Sequence, residues 1–173
     1  MAELSCDEYQ TVLSFFKKAL EEEPEKHSYW YDIAFCKGRL GHWDDALAAL
    51  NKASESQSEE PAFLNLLSHT HIKLKQYDEA VSVLKKALLL RPRSPNLLYK
   101  LAAAYFGKGN LKSAKSTILK IIELTPNFSK AHFGLGLVCY YLEDIRGYEQ
   151  QITVLNKLSP ELAQKLAALV RYQ

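Results

Sequence analysis

Residues 77–126 read YDEAVSVLKKALLLRPRSPNLLYKLAAAYFGKGNLKSAKSTILKIIELTP. Tyr77, Ala80, Leu84, Ala87 and Pro92 return as Leu111, Ala114, Ile118, Ile121 and Pro126, each 34 residues further on. Between these marks, apolar residues advance by threes and fours, which is the step of one helix face. Ser94 followed by Pro95 opens a helix, because the serine can cap it and proline suits the first helical position. Gly109 closes that helix with a turn. The stretch is therefore helix, loop, helix, turn, helix, on a fixed period.

The period extends in both directions. Ala46, Ala80 and Ala114 share one place, with Tyr148 in the next. Trp43, Tyr77, Leu111 and Ile145 share another, as do Leu50, Leu84, Ile118 and Ile152. Ala53, Ala87, Ile121 and Leu155 form a further set. Pro92, Pro126 and Pro160 lie in line with Ser58 and Pro24, and Gly41 and Gly109 mark turns that Lys75 and Glu143 match. The spacing predicts helices over 5–22, 27–40, 43–56, 61–74, 77–90, 95–108, 111–124, 129–142, 145–157 and 160–172. Ser5 with Glu8 forms a capping box, and Ser159 before Pro160 repeats the Ser94–Pro95 signal. Asp44, Asp45, Asp78 and Glu79 follow turns, where acids favour a helix N-terminus.

A helix–turn–helix unit on this period resembles a tetratricopeptide repeat (TPR). Trp30, Ile33, Ala34, Gly41, Trp43, Ala46, Leu50 and Ala53 carry the match in the first unit. Leu64, Leu67, Tyr77, Ala80, Leu84, Ala87 and Pro92 carry it in the second. Leu98, Leu101, Ala102, Tyr105, Gly109, Ala114 and Pro126 carry it in the third, and Leu135, Gly136 and Pro160 in the fourth. The resemblance implies an all-α, right-handed α-solenoid with extra helices at both ends. It is divided as one domain, 1–173: a half-repeat at 1–26, repeats at 27–60, 61–94, 95–128 and 129–162, and a capping helix at 160–173. Tyr9, Val12, Phe16 and Ala19 place the first helix as the second half of a repeat. Leu162, Leu166, Leu169 and Val170 form the covering face of the last. The fourth repeat departs from the pattern. Tyr148 is too large for a close crossing, and Gly147 is expected to supply the small place.

The composition fits a folded chain: 47% hydrophobic and 24% charged, with 7 Gly and 6 Pro. It excludes collagen-like and disordered classes. No apolar run approaches the ~18 residues of a membrane span. Cys6, Cys36 and Cys139 form neither a disulfide framework nor a metal knuckle, so a reducing, cytoplasmic setting is expected. The net charge of +2 hides an asymmetry. Residues 1–60 hold 6 basic and 13 acidic side chains, whereas residues 61–130 hold 12 and 3.

Catalytic and cofactor signals are missing. His69 and His71 fall on different faces of one helix, which argues against a shared metal ion. Gly134 and Gly136 mimic the start of a dinucleotide motif, but they lie inside a predicted helix. No enzymatic activity and no cofactor are expected. The resemblance implies instead a concave groove lined by the first helix of each repeat. Tyr31, Phe35, Asn65, His69, Lys73, Tyr99, Phe106, Phe133 and Tyr140 are its candidate contacts, with Ala103, Leu137 and Tyr141 on the same face. The aromatic ones are not needed by the repeat pattern, and aromatic side chains dominate binding hot spots. A carboxylate clamp of the kind that grips chaperone tails is not rebuilt. Its places hold Tyr31, Phe35, Leu66, Asn96 and Lys100, or, one repeat later, Asn65, His69, Lys100, Lys130 and Gly134. The groove therefore suits a peptide or an amphipathic helix with apolar anchors, in an adaptor, scaffold or chaperone-like protein. The alternative is RNA binding through the basic middle. Lys85, Lys86, Lys112, Lys115 and Lys120 fall on second helices, away from the groove, which disfavours nucleic acid.

Leu13 and Phe15 stand on the open side of the first helix, and Ala163 and Ala167 on that of the last. With an acidic front and a basic middle, these predict a monomer when dilute and weak, salt-sensitive self-association when concentrated. Sedimentation at two salt concentrations checks this. A monomer at every concentration in low salt contradicts it, and a salt-insensitive dimer points to the apolar N-terminal contact instead.

Overall fold

The computed structural model describes residues 4–57 and 59–169. Among these there are ten helices and no strand: α1 Cys6–Glu22, α2 Ser28–Arg39, α3 Trp43–Gln57, α4 Pro61–Lys73, α5 Tyr77–Leu90, α6 Pro95–Gly107, α7 Leu111–Leu124, α8 Ser129–Tyr141, α9 Ile145–Leu158 and α10 Pro160–Ala168. Each lies within two residues of its predicted bounds, except that α10 ends at Ala168. Ser58, Val170 and the predicted end at 172 lie outside the described residues. The chain divides into two compact units, residues 1–87 and 88–173.

In the first unit α1 packs on α2, α2 on α3, and α3 on α4. Ala46, Leu50, Ala53, Ala80 and Leu84 are fully buried. The Trp43 ring lies over Gly38, where a Cβ would come within 3.0 Å of Cζ3. In the second unit α6 to α10 pack each on the next, and α8 also meets α6 and α10. Its core runs through Leu98, Ala102, Ala114, Ile118, Ile121, Leu135, Val138 and Leu155.

The turns inside the repeats share one geometry. Gly41, Lys75, Gly109 and Glu143 adopt φ of 81°, 58°, 79° and 58°. In each turn the next residue's N–H donates to the carbonyl five places back: His42 to Lys37, Gln76 to His71, Asn110 to Tyr105 and Asp144 to Cys139. This is the Schellman closure, which satisfies carbonyls that the helix end leaves open. Asn110 and Asp144 then cap the next helix by accepting from the backbone N–H of Ser113 and Gly147. The Ser5–Glu8 capping box is present, and Ser94 caps α6. Ser159 stands at the N-cap of α10, but its hydroxyl makes no capping bond there. Only Ser159 separates α9 from α10, and its extended backbone spans that corner.

Leu13 and Ala163, expected on open faces, are buried, whereas Leu169 and Ile145, expected in covered places, are exposed. Leu13 is buried, because with Tyr9 it forms the side of α1 that meets α2, leaving Phe15 exposed. Ala163 is buried and Leu169 is exposed, so α10 is turned with Ala163 and Leu166 inward. Ile145 is 69% exposed, unlike its half-buried counterparts Trp43, Tyr77 and Leu111. In the first repeat, Trp43 is covered by His69 of the following first helix. The residue in the place of His69 after Ile145 is number 171, outside the described residues.

The fourth repeat solves its packing with glycine. A Cβ on Gly147 would come within 2.8 Å of Cys139 Sγ. Gly147 thus occupies the close approach between α9 and α8, as expected. Tyr148 turns toward α10, where its buried hydroxyl donates to the Leu166 carbonyl at 2.9 Å. A Cβ on Gly136 would overlap the fully buried Leu166 side chain.

Lys75 and Glu143 carry a Cβ in the left-handed region, which costs a non-glycine residue roughly 1–2 kcal/mol. Lys75→Gly and Glu143→Gly should therefore each stabilise the protein by about 0.5–1 kcal/mol, after glycine's greater unfolded-state entropy is subtracted. Gly109→Ala should destabilise it by about 1 kcal/mol. Urea denaturation reads all three.

Candidate functional site

The second unit contains a cleft of about 120 Å³ walled by α6 and α8. Tyr99, Ala102, Ala103 and Phe106 come from α6, and Gly134, Leu137 and Val138 from α8. Ile118 of α7 forms the floor. Residues three and four apart on a helix share a face, so Tyr99, Ala103 and Phe106 stand in one row. The cleft exists because small residues sit between large ones. A Cβ on Gly134 would reach 3.4 Å from Ile118 Cδ1 and 3.9 Å from the Tyr99 ring.

The aromatic residues are tied into the fold without being used up by it. Tyr99, Phe106, Phe133 and Tyr140 are half-buried and pack against the core of the second unit. Tyr99 stands edge-on to Phe128 at 5.9 Å between centroids. Phe106 meets the exposed Tyr141 at 5.3 Å, Tyr141 meets Tyr140 at 5.4 Å, and Tyr140 meets Tyr148 at 5.9 Å. Phe133 packs beside the cleft but does not line it. Burial pushes the Tyr99 phenol above its ordinary range and the Lys100 ammonium below its own. Burial thus keeps the Tyr99 phenol neutral, with an O–H that can donate or accept a hydrogen bond.

The first unit places its candidate residues differently. Phe35 is exposed on α2 and stands edge-on to Tyr9 at 6.3 Å. Tyr31 is half-buried, and its phenol is raised by burial and by the nearby carboxylates of Asp32 and Glu60. Asn65 is exposed on α4. His69 lies edge-on to Trp43 at 5.3 Å, and the Lys73 ammonium lies 5.6 Å from the same ring. His69 and Lys73 thus border the packing residue Trp43.

A second cleft of about 330 Å³ lies among α7, α8 and α9, lined in part by Leu119, Ile122, Leu135 and Val154. Its polar groups serve one another. Lys115 Nζ pairs with Asp144 Oδ2 at 3.0 Å, and Asp144 also caps α9. The two ring nitrogens of His132 lie 2.8 Å from the Gln151 side-chain amide and 2.7 Å from the Pro126 carbonyl. The α6–α8 cleft is the better candidate, with aromatic walls and no ion pair to break. Among the described residues no group of three His, Cys, Asp or Glu side chains is placed to hold a metal ion. Nor is any helix there long and apolar enough to cross a membrane.

Reading the sequence missed Ala102, Gly134, Val138 and Ile118 as parts of the site. The available signal was the alternation of large and small residues along the inner face, Tyr99–Ala103 on α6 and Lys130–Gly134 on α8.

The tetratricopeptide repeat family model matches residues 71–135. That of anaphase-promoting complex, cyclosome, subunit 3 matches residues 5–87. No curated protein sequence matches the chain significantly. Solved structures share its fold. MamA 41-end from Desulfovibrio magneticus RS-1 is 21% identical with a TM-score of 0.77, covering 95% of this chain and 87% of its own. YrrB, described as a TPR protein with an unusual peptide-binding site, is 20% identical with a TM-score of 0.81, at 94% and 84% coverage. TTC0263, a thermophilic TPR protein in Thermus thermophilus, is 19% identical with a TM-score of 0.71, at 94% and 90% coverage.

Proposed function

Because the chain is a tetratricopeptide-repeat protein, we propose that it is a non-enzymatic interaction module that holds a segment of a partner protein against its first helices. The observation that carries this reading is the α6–α8 cleft. Tyr99, Phe106 and Leu137 on its walls are half-buried aromatic and aliphatic side chains that the repeat's own packing places do not include. An apolar recess with rigid aromatic walls is the usual anchor of a binding hot spot. Room for one side chain suits a peptide or an amphipathic helix, which binds by seating successive anchors. Tyr31, Phe35, Asn65, His69 and Lys73 offer further contacts in the first unit, and Phe133 and Tyr140 buttress the cleft in the second. The peptide-binding site named for YrrB supports the same role here. An adaptor, assembly scaffold or chaperone-like protein in the cytoplasm would use such a site.

Ala103 lines the cleft yet is exposed, so Ala103→Phe should fill the recess and alter stability by no more than about 0.5 kcal/mol. Affinity capture from a lysate of the source organism should recover a partner with the wild-type chain. Ala103→Phe, and the Tyr99→Ala/Phe133→Ala pair, should weaken that partner about tenfold or more. Circular dichroism should stay helical in each. Undiminished binding by both variants would move the partner to another face.

A further inference from the structure

The two helices that wall the cleft contain no aspartate or glutamate. Their only formal charges are Lys100 and Lys130, with His132 turned into the core. Lys130 is exposed in the first turn of α8. It stands one turn before Gly134 on the same face of α8, so an exposed positive charge lies on a helix that walls the cleft. Lys100 is half-buried on α6, one residue from Tyr99 and three from Ala103. Burial lowers its pKa, because a half-buried ammonium is thinly hydrated. Asn96, in the first turn of α6, lies one turn before Tyr99, and the Ser94-capped end of that helix is its electropositive end. Asp144, which follows α8, is engaged by Lys115 and by the N-terminus of α9.

We infer that the cleft recognises an acidic segment: one bulky aliphatic side chain, leucine or methionine, seated between Tyr99, Phe106 and Leu137, with Asp or Glu beside it facing Lys130. This rests on the interaction role proposed above and names the chemistry of its partner. Complementary charge adds selectivity and association rate, while the buried anchor supplies most of the affinity. A nucleic acid fits less well. Phosphate tracking needs a run of exposed cations beside open ring faces. Here a single fully exposed lysine accompanies rings that meet their neighbours at steep angles.

The test is a selection from a random peptide display library on the wild-type chain, with Ala103→Phe as the counter-selecting bait. Peptides that depend on the cleft should share an aliphatic residue with Asp or Glu within a few positions. Lys130→Glu should weaken them about tenfold and favour Lys- or Arg-flanked peptides instead. Their affinity should fall as salt rises. Cleft-dependent peptides with neutral or basic flanks, or indifference to Lys130→Glu, would overturn the acidic specificity while leaving the interaction role intact. No peptide sensitive to Ala103→Phe would instead count against the interaction role. A single-stranded RNA oligomer that binds wild type but not Ala103→Phe, with a steep salt slope, would overturn the peptide assignment in favour of nucleic acid.

Discussion

Paired helices in this chain approach as closely as an alanine allows. Ala46, Ala80 and Ala114 are each fully buried at the same place in their repeats. A larger side chain there would force the helices apart or leave its rotamer wells, because protein interiors have no slack to absorb added volume. The other regularities follow from this contact. It fixes which face of each second helix is spent on its partner. It brings Leu50, Leu84 and Ile118 into the space between helices. The fourth repeat shows the same constraint met by other means. Gly147 makes the approach to Cys139, and the neighbouring Tyr148 bonds the Leu166 carbonyl of α10.

The α6–α8 cleft is a consequence of that arrangement. The core of the second unit is filled by α6, α7 and α8 residues such as Leu98, Ile118 and Leu135, leaving Tyr99, Phe106 and Leu137 half-covered at its edge. Ala103 and Gly134, having little or no side chain, keep the space between them open. Because its walls lean on a packed core, the recess is pre-formed, and a ligand would spend little free energy on ordering it. Its chemistry is set by what α6 and α8 lack: there is no carboxylate on either helix.

Much of the fold was legible because it is local. Helix bounds follow from apolar spacing, caps and turn residues within a few positions of one another. The equivalence of Lys75 and Glu143 to Gly41 and Gly109 was correctly signalled by period alone, although neither residue type favours positive φ. Features that depend on a neighbouring element were harder to read. Leu13 and Ala163 were assigned to open faces, yet the rotation of α1 and α10 turns them inward. Ile145 has the right character for its place but nothing among the described residues to cover it. Tyr99 and Phe106 stood out as aromatics that the repeat does not need. The cleft between them did not, because it is made by small residues, whose role shows only once their neighbours are placed. In the first unit His69 and Lys73 border the ring of Trp43, a neighbour that their spacing did not announce.

The claim that small-residue contact organises the molecule is tested most directly by comparing two substitutions of the same kind in urea denaturation. Ala114→Leu adds volume at the helix crossing and should cost about 1–3 kcal/mol. Ala103→Leu adds the same volume in the open cleft and should cost less than about 0.5 kcal/mol. Equal and small losses for the two variants would show that the crossing tolerates bulk, and would contradict the account.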